Sequence, residues 1–173
     1  LHIDRDKYEI HYLVFDEIKE PYESDLEKAG IKVYHLAEPS KGYVQYLKNL
    51  GKLFDENHYS VVHAHTMFNC GWAMLLAWAK KVPCRISHSH SIKMADYHYS
   101  MLAKVYQAAM QKLIHIFGTE FIGCGRAAGE WLFGKNFFKK HGTIIYNGIN
   151  TKQFLFSSAK REEMRKKLNI SDK

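Results

Sequence analysis

Cysteine and proline are scarce, with three of each in 173 residues. The cysteines (Cys70, Cys84 and Cys124) form no C-x-x-C pair and are odd in number, which argues against a disulfide scaffold or a cysteine zinc site and fits a reducing compartment. No apolar run approaches the roughly 20 residues of a membrane-spanning helix. Nucleophile elbows, Walker loops and H-E-x-x-H motifs are all missing, as are repeats and low-complexity tracts. What is present is apolar substance: 46% hydrophobic and 14% aromatic residues, enough for the core of one globular domain. A soluble, cytoplasmic chain is expected.

The net charge of +7 is unevenly spread. Between Ser157 and Lys173 six basic residues face three acidic ones, so this tail supplies +3 of the total. Elsewhere no dense Lys/Arg run carries the interleaved aromatics that single-stranded nucleic acid requires, and no nucleic-acid partner is expected. The basic surplus reads as a solvated surface.

Along the chain the hydrophobic period alternates between strand and helix. Strand-like runs occupy 8–15, 31–36, 61–65, 84–88, 121–124 and 143–146. Helical patterns fill 24–29, 42–56, 69–81, 95–117 and 126–133, and a polar helix spans 161–168. In the long helix, Met101, Leu102, Val105, Ala109, Leu113 and Phe117 fall on one stripe. Trp72 and Trp78 are placed on the buried side of theirs. Strands alternating with helices of ten or more residues predict right-handed βαβ units: an α/β fold with a parallel sheet and helices on both faces. The near-continuous apolar strands suggest burial on both sides.

Ligands of open parallel sheets bind beyond the carboxyl ends of the strands. Four groups of polar residues fall there: His63 and His65, His88 and His90, Gly123 to Arg126, and Asn147-Gly148. Residues i and i+2 of a strand face the same way, so each His-x-His pair presents two imidazoles to one side. A metal site would need three or four of them to converge across strands. With 11 histidines in the chain, a histidine that touches substrate without metal is the expectation, and neither metal nor cofactor is predicted. Gly123-Cys-Gly125-Arg-Ala-Ala128 has the G-x-G-x-x-A form of a dinucleotide fingerprint. The acidic residue wanted at the end of the next strand is replaced by Asn147, so NAD binding is rejected. Amides near Arg126 remain suited to a phosphate or carboxylate.

The series V-V-H-A-H at 61–65, K-V-P-C-R-I-S-H-S-H-S at 81–91, F-I-G-C-G-R-A-A-G-E-W-L-F-G at 121–134 and I-I-Y-N-G-I-N-T-K-Q-F at 144–154 resembles the N-terminal domain of group 1 (family 4) glycosyltransferases of the GT-B type, of the sort that builds bacterial capsular or exopolysaccharide. A trailing R-x-x-x-R-x-x-L helix continues the likeness. The resemblance implies one Rossmann-like half of a two-lobed retaining enzyme. Residues 1–156 would form the acceptor-side domain and 157–173 the start of an interdomain linker; the first strand with its Gly-rich loop and the whole donor lobe would lie outside this chain. It implies a nucleotide-sugar donor, a glycan or lipid-linked acceptor, and peripheral membrane contact where the acceptor is lipid-linked. The family's histidine falls on His90 or His88. Asn147 and Gly148 match the family's hinge motif that lines the cleft; Gly125-Arg126 stand where the family commonly has Ser-Glu, and with His65 they are expected substrate contacts from their strand-end positions. Two other readings stay open: a metal-dependent hydrolase built on the His-x-His pairs, and a non-catalytic α/β ligand-binding domain.

Overall fold

The computed structural model describes residues 3–16, 18–37, 39–92 and 99–170. In chain order these form β1 (His11–Val14), α1 (Glu23–Lys28), β2 (Lys32–His35), α2 (Tyr43–Asn57), β3 (Val61–Ala64), α3 (Cys70–Ala79), β4 (Cys84–Ser89), α4 (Met101–Phe117), β5 (Glu120–Gly123), α5 (Arg126–Phe133), α6 (Lys135–His141), β6 (Gly142–Ile144) and α7 (Ser158–Lys167). Strands β3-β4-β5-β6 make one parallel sheet in that order, and β1 and β2 make a separate parallel pair. The α/β class and its parallel, Rossmann-like layering are as the alternating periods predict.

Each helix returns the chain to the edge where the next parallel strand starts. Helix α3 packs on β3 and β4, α5 packs on β4, β5 and β6, and α4 lies against α3 and α5. Gly71 permits the α3–α4 crossing: a Cβ there would sit 2.8 Å from the Met110 carbonyl oxygen. Around that crossing Met74, Met110, Ile114, Leu132, Phe133 and Phe138 form the main core. A second core gathers Tyr46, Leu50 and Phe54 of α2 under Ala77 and Val82, with Leu13 and Phe15 from the small sheet packed against it. β1 and β3 do not pair. Side chains fasten the two sheets together, including a 2.8 Å hydrogen bond between His11 Nδ1 and the Tyr59 hydroxyl.

Several expectations need correction. Helix α4 starts at Met101, where the Ser100 hydroxyl oxygen accepts the Ala103 N–H at 3.2 Å. The expected start at Ala95 lies outside the described residues. Its stripe is also wrong over most of its length: Met101, Leu102 and Val105 are 76%, 81% and 60% exposed and Ala109 is exposed as well, which leaves only Leu113 and Phe117 against the core. The buried seam runs through Met110 and Ile114 instead. Trp78 is half exposed and lies against Phe117 rather than inside the core. Helix α6 has no counterpart in the sequence reading. Strand β3 alternates, with Val61 and His63 exposed and Ala64 buried, where its apolar run suggested burial on both sides. Among the described residues no helix is long and apolar enough to cross a membrane.

Candidate active site

The alternation of β3 and β4 decides which side chains share a face. In the parallel register Ala64 lies beside Ser87 and His63 beside Ile86. Ala64, Ser87 and Ser89 therefore point toward the helices. Ser87 and Ser89 are fully buried, and the Ser89 hydroxyl donates to the Ala128 carbonyl of α5 at 2.7 Å. Cys70, also fully buried, directs Sγ to the Ala64 carbonyl at 3.4 Å, and burial pushes its thiol pKa up, as for a packed, inert cysteine. Ser89 thus anchors the strand to α5, and the histidines are left to the other face.

On that face four imidazoles meet. His63 Nε2 and His88 Nδ1 are 3.2 Å apart, and His65 Nδ1 and His90 Nε2 are 2.8 Å apart, so in each pair one ring nitrogen carries the proton that the other accepts. The His63 and His88 rings are stacked with 8° between their planes and centroids 5.3 Å apart. His63–His65 and His88–His90 centroids are 4.2 and 4.1 Å apart along their strands. His88 is only 7% exposed, and its Nε2 is buried with no hydrogen-bond partner. His63, His65 and His90 keep access to solvent.

Burial, reinforced by repulsion from neighbouring rings, holds His63, His65 and His88 neutral. It lowers His65 and His88 to about 4, and it lowers His63 as well. A neutral imidazole both donates and accepts a hydrogen bond. The cluster is therefore suited to sugar-like hydroxyls, and it does not attract an anion by charge at neutral pH.

Of the expected site residues, the structure brings His65, His88 and His90 together. It adds His63, which the i, i+2 pattern had marked but which was not among the expected contacts. Gly125 and Arg126 open α5 after β5, and Asn147 and Gly148 follow β6; all four flank the same carboxyl rim. They sit one and two strands from β4, roughly 5 and 10 Å across the sheet, outside the imidazole cluster. The two glycines of the fingerprint differ. A Cβ on Gly123 would press within 2.8–3.0 Å of the Gly125 and Gly129 backbone, so this residue serves strand–helix packing. Gly125 and Gly148 have nothing within 4 Å of an added Cβ, and the fold does not require either.

The carboxyl rim of a parallel α/β layer is where such folds bind their ligands, and here it carries a cluster of imidazoles. The family model described as Glycosyltransferase Family 4 matches residues 2–153, and the chain belongs to that family. Two curated relatives are similar to it at 27% identity. The putative glycosyltransferase EpsF of Bacillus subtilis (strain 168) aligns over 157 residues, 88% of this chain and 40% of the relative. The capsular polysaccharide biosynthesis glycosyltransferase CapH of Staphylococcus aureus aligns over 143 residues, 83% and 39%. Crystal structures of Anabaena HepE, in complex with UDP and with UDP and glucose, share the fold at TM-score 0.67 and 19% identity, covering 91% of this chain and 42% of theirs. The chain spans about 40% of the length of the curated relatives it matches.

Proposed function

We propose that this chain is the acceptor-side half of a glycosyltransferase that moves a sugar from a nucleotide-sugar donor to a hydroxyl acceptor in bacterial polysaccharide synthesis. The observation that carries the reading is the neutral imidazole cluster at the carboxyl rim of a family 4 domain. In this reading His88 or His90 is the group that meets the reacting sugar or the acceptor hydroxyl. His65 holds His90 in place through the 2.8 Å bond between their rings. Gly125 and Arg126, at the start of α5, and Asn147-Gly148, after β6, line the rest of the cleft. Residues 1–156 form the domain and 157–173 lead toward a donor lobe.

Transfer proceeds with retention of anomeric configuration. The charge on the leaving diphosphate is met mainly by donors of the other lobe, because His63, His65 and His88 are held neutral. The relative named for capsular polysaccharide biosynthesis and the UDP and glucose bound by HepE support this assignment of substrate class. The site is read as cytoplasmic, with contact at the inner membrane face where the acceptor is lipid-linked.

The test uses the longer protein that carries this chain. His88→Ala combined with His90→Ala is expected to cut turnover with a nucleotide sugar by two orders of magnitude or more, and NMR of the product should show the donor's anomeric configuration kept. Undiminished turnover in the double variant would sink the assignment of these two residues, and an inverted product would sink retention.

A further inference from the structure

We propose that His63, His65 and His88 form a binding site for a first-row transition-metal ion of the zinc class. One ring nitrogen from each of the three lies within 4.8 Å of those of the other two, in a group that contains no carboxylate. Two imidazole nitrogens bound to one tetrahedral ion at about 2.0–2.1 Å stand roughly 3.3 Å apart. His63 Nε2 and His88 Nδ1 are already 3.2 Å apart, so an ion can take the place of the proton they share. The third ligand is the exposed His65, with a ring nitrogen within 4.8 Å of those of both others.

The chemistry of the set selects the ion. Three imidazoles without carboxylate oxygens are poor ligands for calcium or magnesium and good ones for zinc, cobalt or nickel. Three protein ligands at the ends of β3 and β4, two of them exposed, leave a fourth position open to water or substrate. His90 supplies the outer support such sites use. It engages His65 Nδ1 at 2.8 Å, which fixes that ring and leaves Nε2 free for an ion. His88 anchors the group from the core: it is 7% exposed and keeps one ring nitrogen buried and unpaired.

The experiment uses the 173-residue chain without an affinity tag, stripped with a chelator and titrated with Co²⁺, with the visible absorption of four-coordinate cobalt as the readout. Expected are saturation at one ion per chain, displacement by Zn²⁺, and affinity weakened at least tenfold in His63→Ala and in His65→Ala. His58→Asn, an exposed histidine elsewhere, should leave the titration unchanged. Should His88→Ala fail to fold, the two exposed variants still decide the matter. Absence of saturable binding, or binding that survives in the His63→Ala/His65→Ala double variant, overturns the site. Because the readout is ion binding and not sugar transfer, its failure is distinguishable from failure of the proposed activity.

Discussion

The same imidazole group is tuned in opposite directions at two places in this chain. At the carboxyl rim burial keeps His63, His65 and His88 neutral. At the end of β2, His35 receives an upward push: its Nδ1 donates to the Asp16 carbonyl at 2.8 Å, and its Nε2 bonds the Glu23 carboxylate at 3.0 Å. Glu23 in turn is lowered, first by the backbone N–H of Glu20 donating to it and then by His35. The sign follows from linkage. A raised His35 contributes stability that is full below its unfolded value of 6.5 and is lost as pH rises through its folded value. A lowered Glu23 contributes above 4.5 and is lost as pH falls through its folded value. Both are charged between these limits. Urea midpoints of His35→Gln and wild type should therefore differ most near pH 5.5, with the gap shrinking by pH 8.5. A gap that widens with alkalinity would contradict the pairing. From sequence alone His35 is one histidine among eleven, because its partners come from the β1–α1 connection and α1 rather than from a local pattern.

Among the elements, legibility followed periodicity. Helix α5 matches its expected bounds, 126–133, because its apolar residues sit at helical spacing between two glycines. Helix α6 was invisible: K-N-F-F-K-K-H has two adjacent phenylalanines and no period to read. Its position depends on a contact that a one-dimensional pattern does not contain, Phe138 lying over Gly129. For α4 the stripe failed because the crossing at Gly71 selects Met110 and Ile114 as the seam and leaves the first turn in solvent. The Gly129 contact can be weighed. Alanine in a helix gains about 0.5–1 kcal/mol over glycine, but a Cβ at position 129 would lie 2.2 Å from the Phe138 ring. Phe138 is 4% exposed and has no room to retreat, and overpacking of that kind costs about 1–3 kcal/mol. The clash should win. Gly129→Ala is expected to lower the melting temperature by several degrees, while Gly125→Ala, at a position open in the fold, should leave it unchanged. Equal melting points for the two variants would refute this account of α5–α6 packing.

For the molecule as a whole, the sequence disclosed the layers and the rim but not which apolar residues stay exposed after β6. After β6 the chain runs through Ile145, Tyr146, Ile149, Phe154, Leu155 and Phe156, all at least half exposed, and α7 buries none of its residues. Phe154, Leu155 and Phe156 are 74%, 70% and 81% exposed. Single exposed apolar residues are ordinary, whereas a consecutive run of large ones marks a contact surface. The curated relatives are about two and a half times as long as the matched region, so a second lobe of a longer protein is the partner proposed for this run. That idea separates stability from association. Replacing Phe154, Leu155 and Phe156 together by serine removes no packed contact and should shift the melting temperature by no more than about 1–2 °C, since exposed substitutions stay within about 0.5 kcal/mol each way. The same triple variant should bind less of a hydrophobic dye and self-associate less at high concentration. In the longer protein it should loosen the two lobes and raise KM for the donor more than it changes the fold. A large loss of melting temperature in the isolated chain would mean the run already packs on its own domain. In that case the proposed partner lobe would have to dock elsewhere.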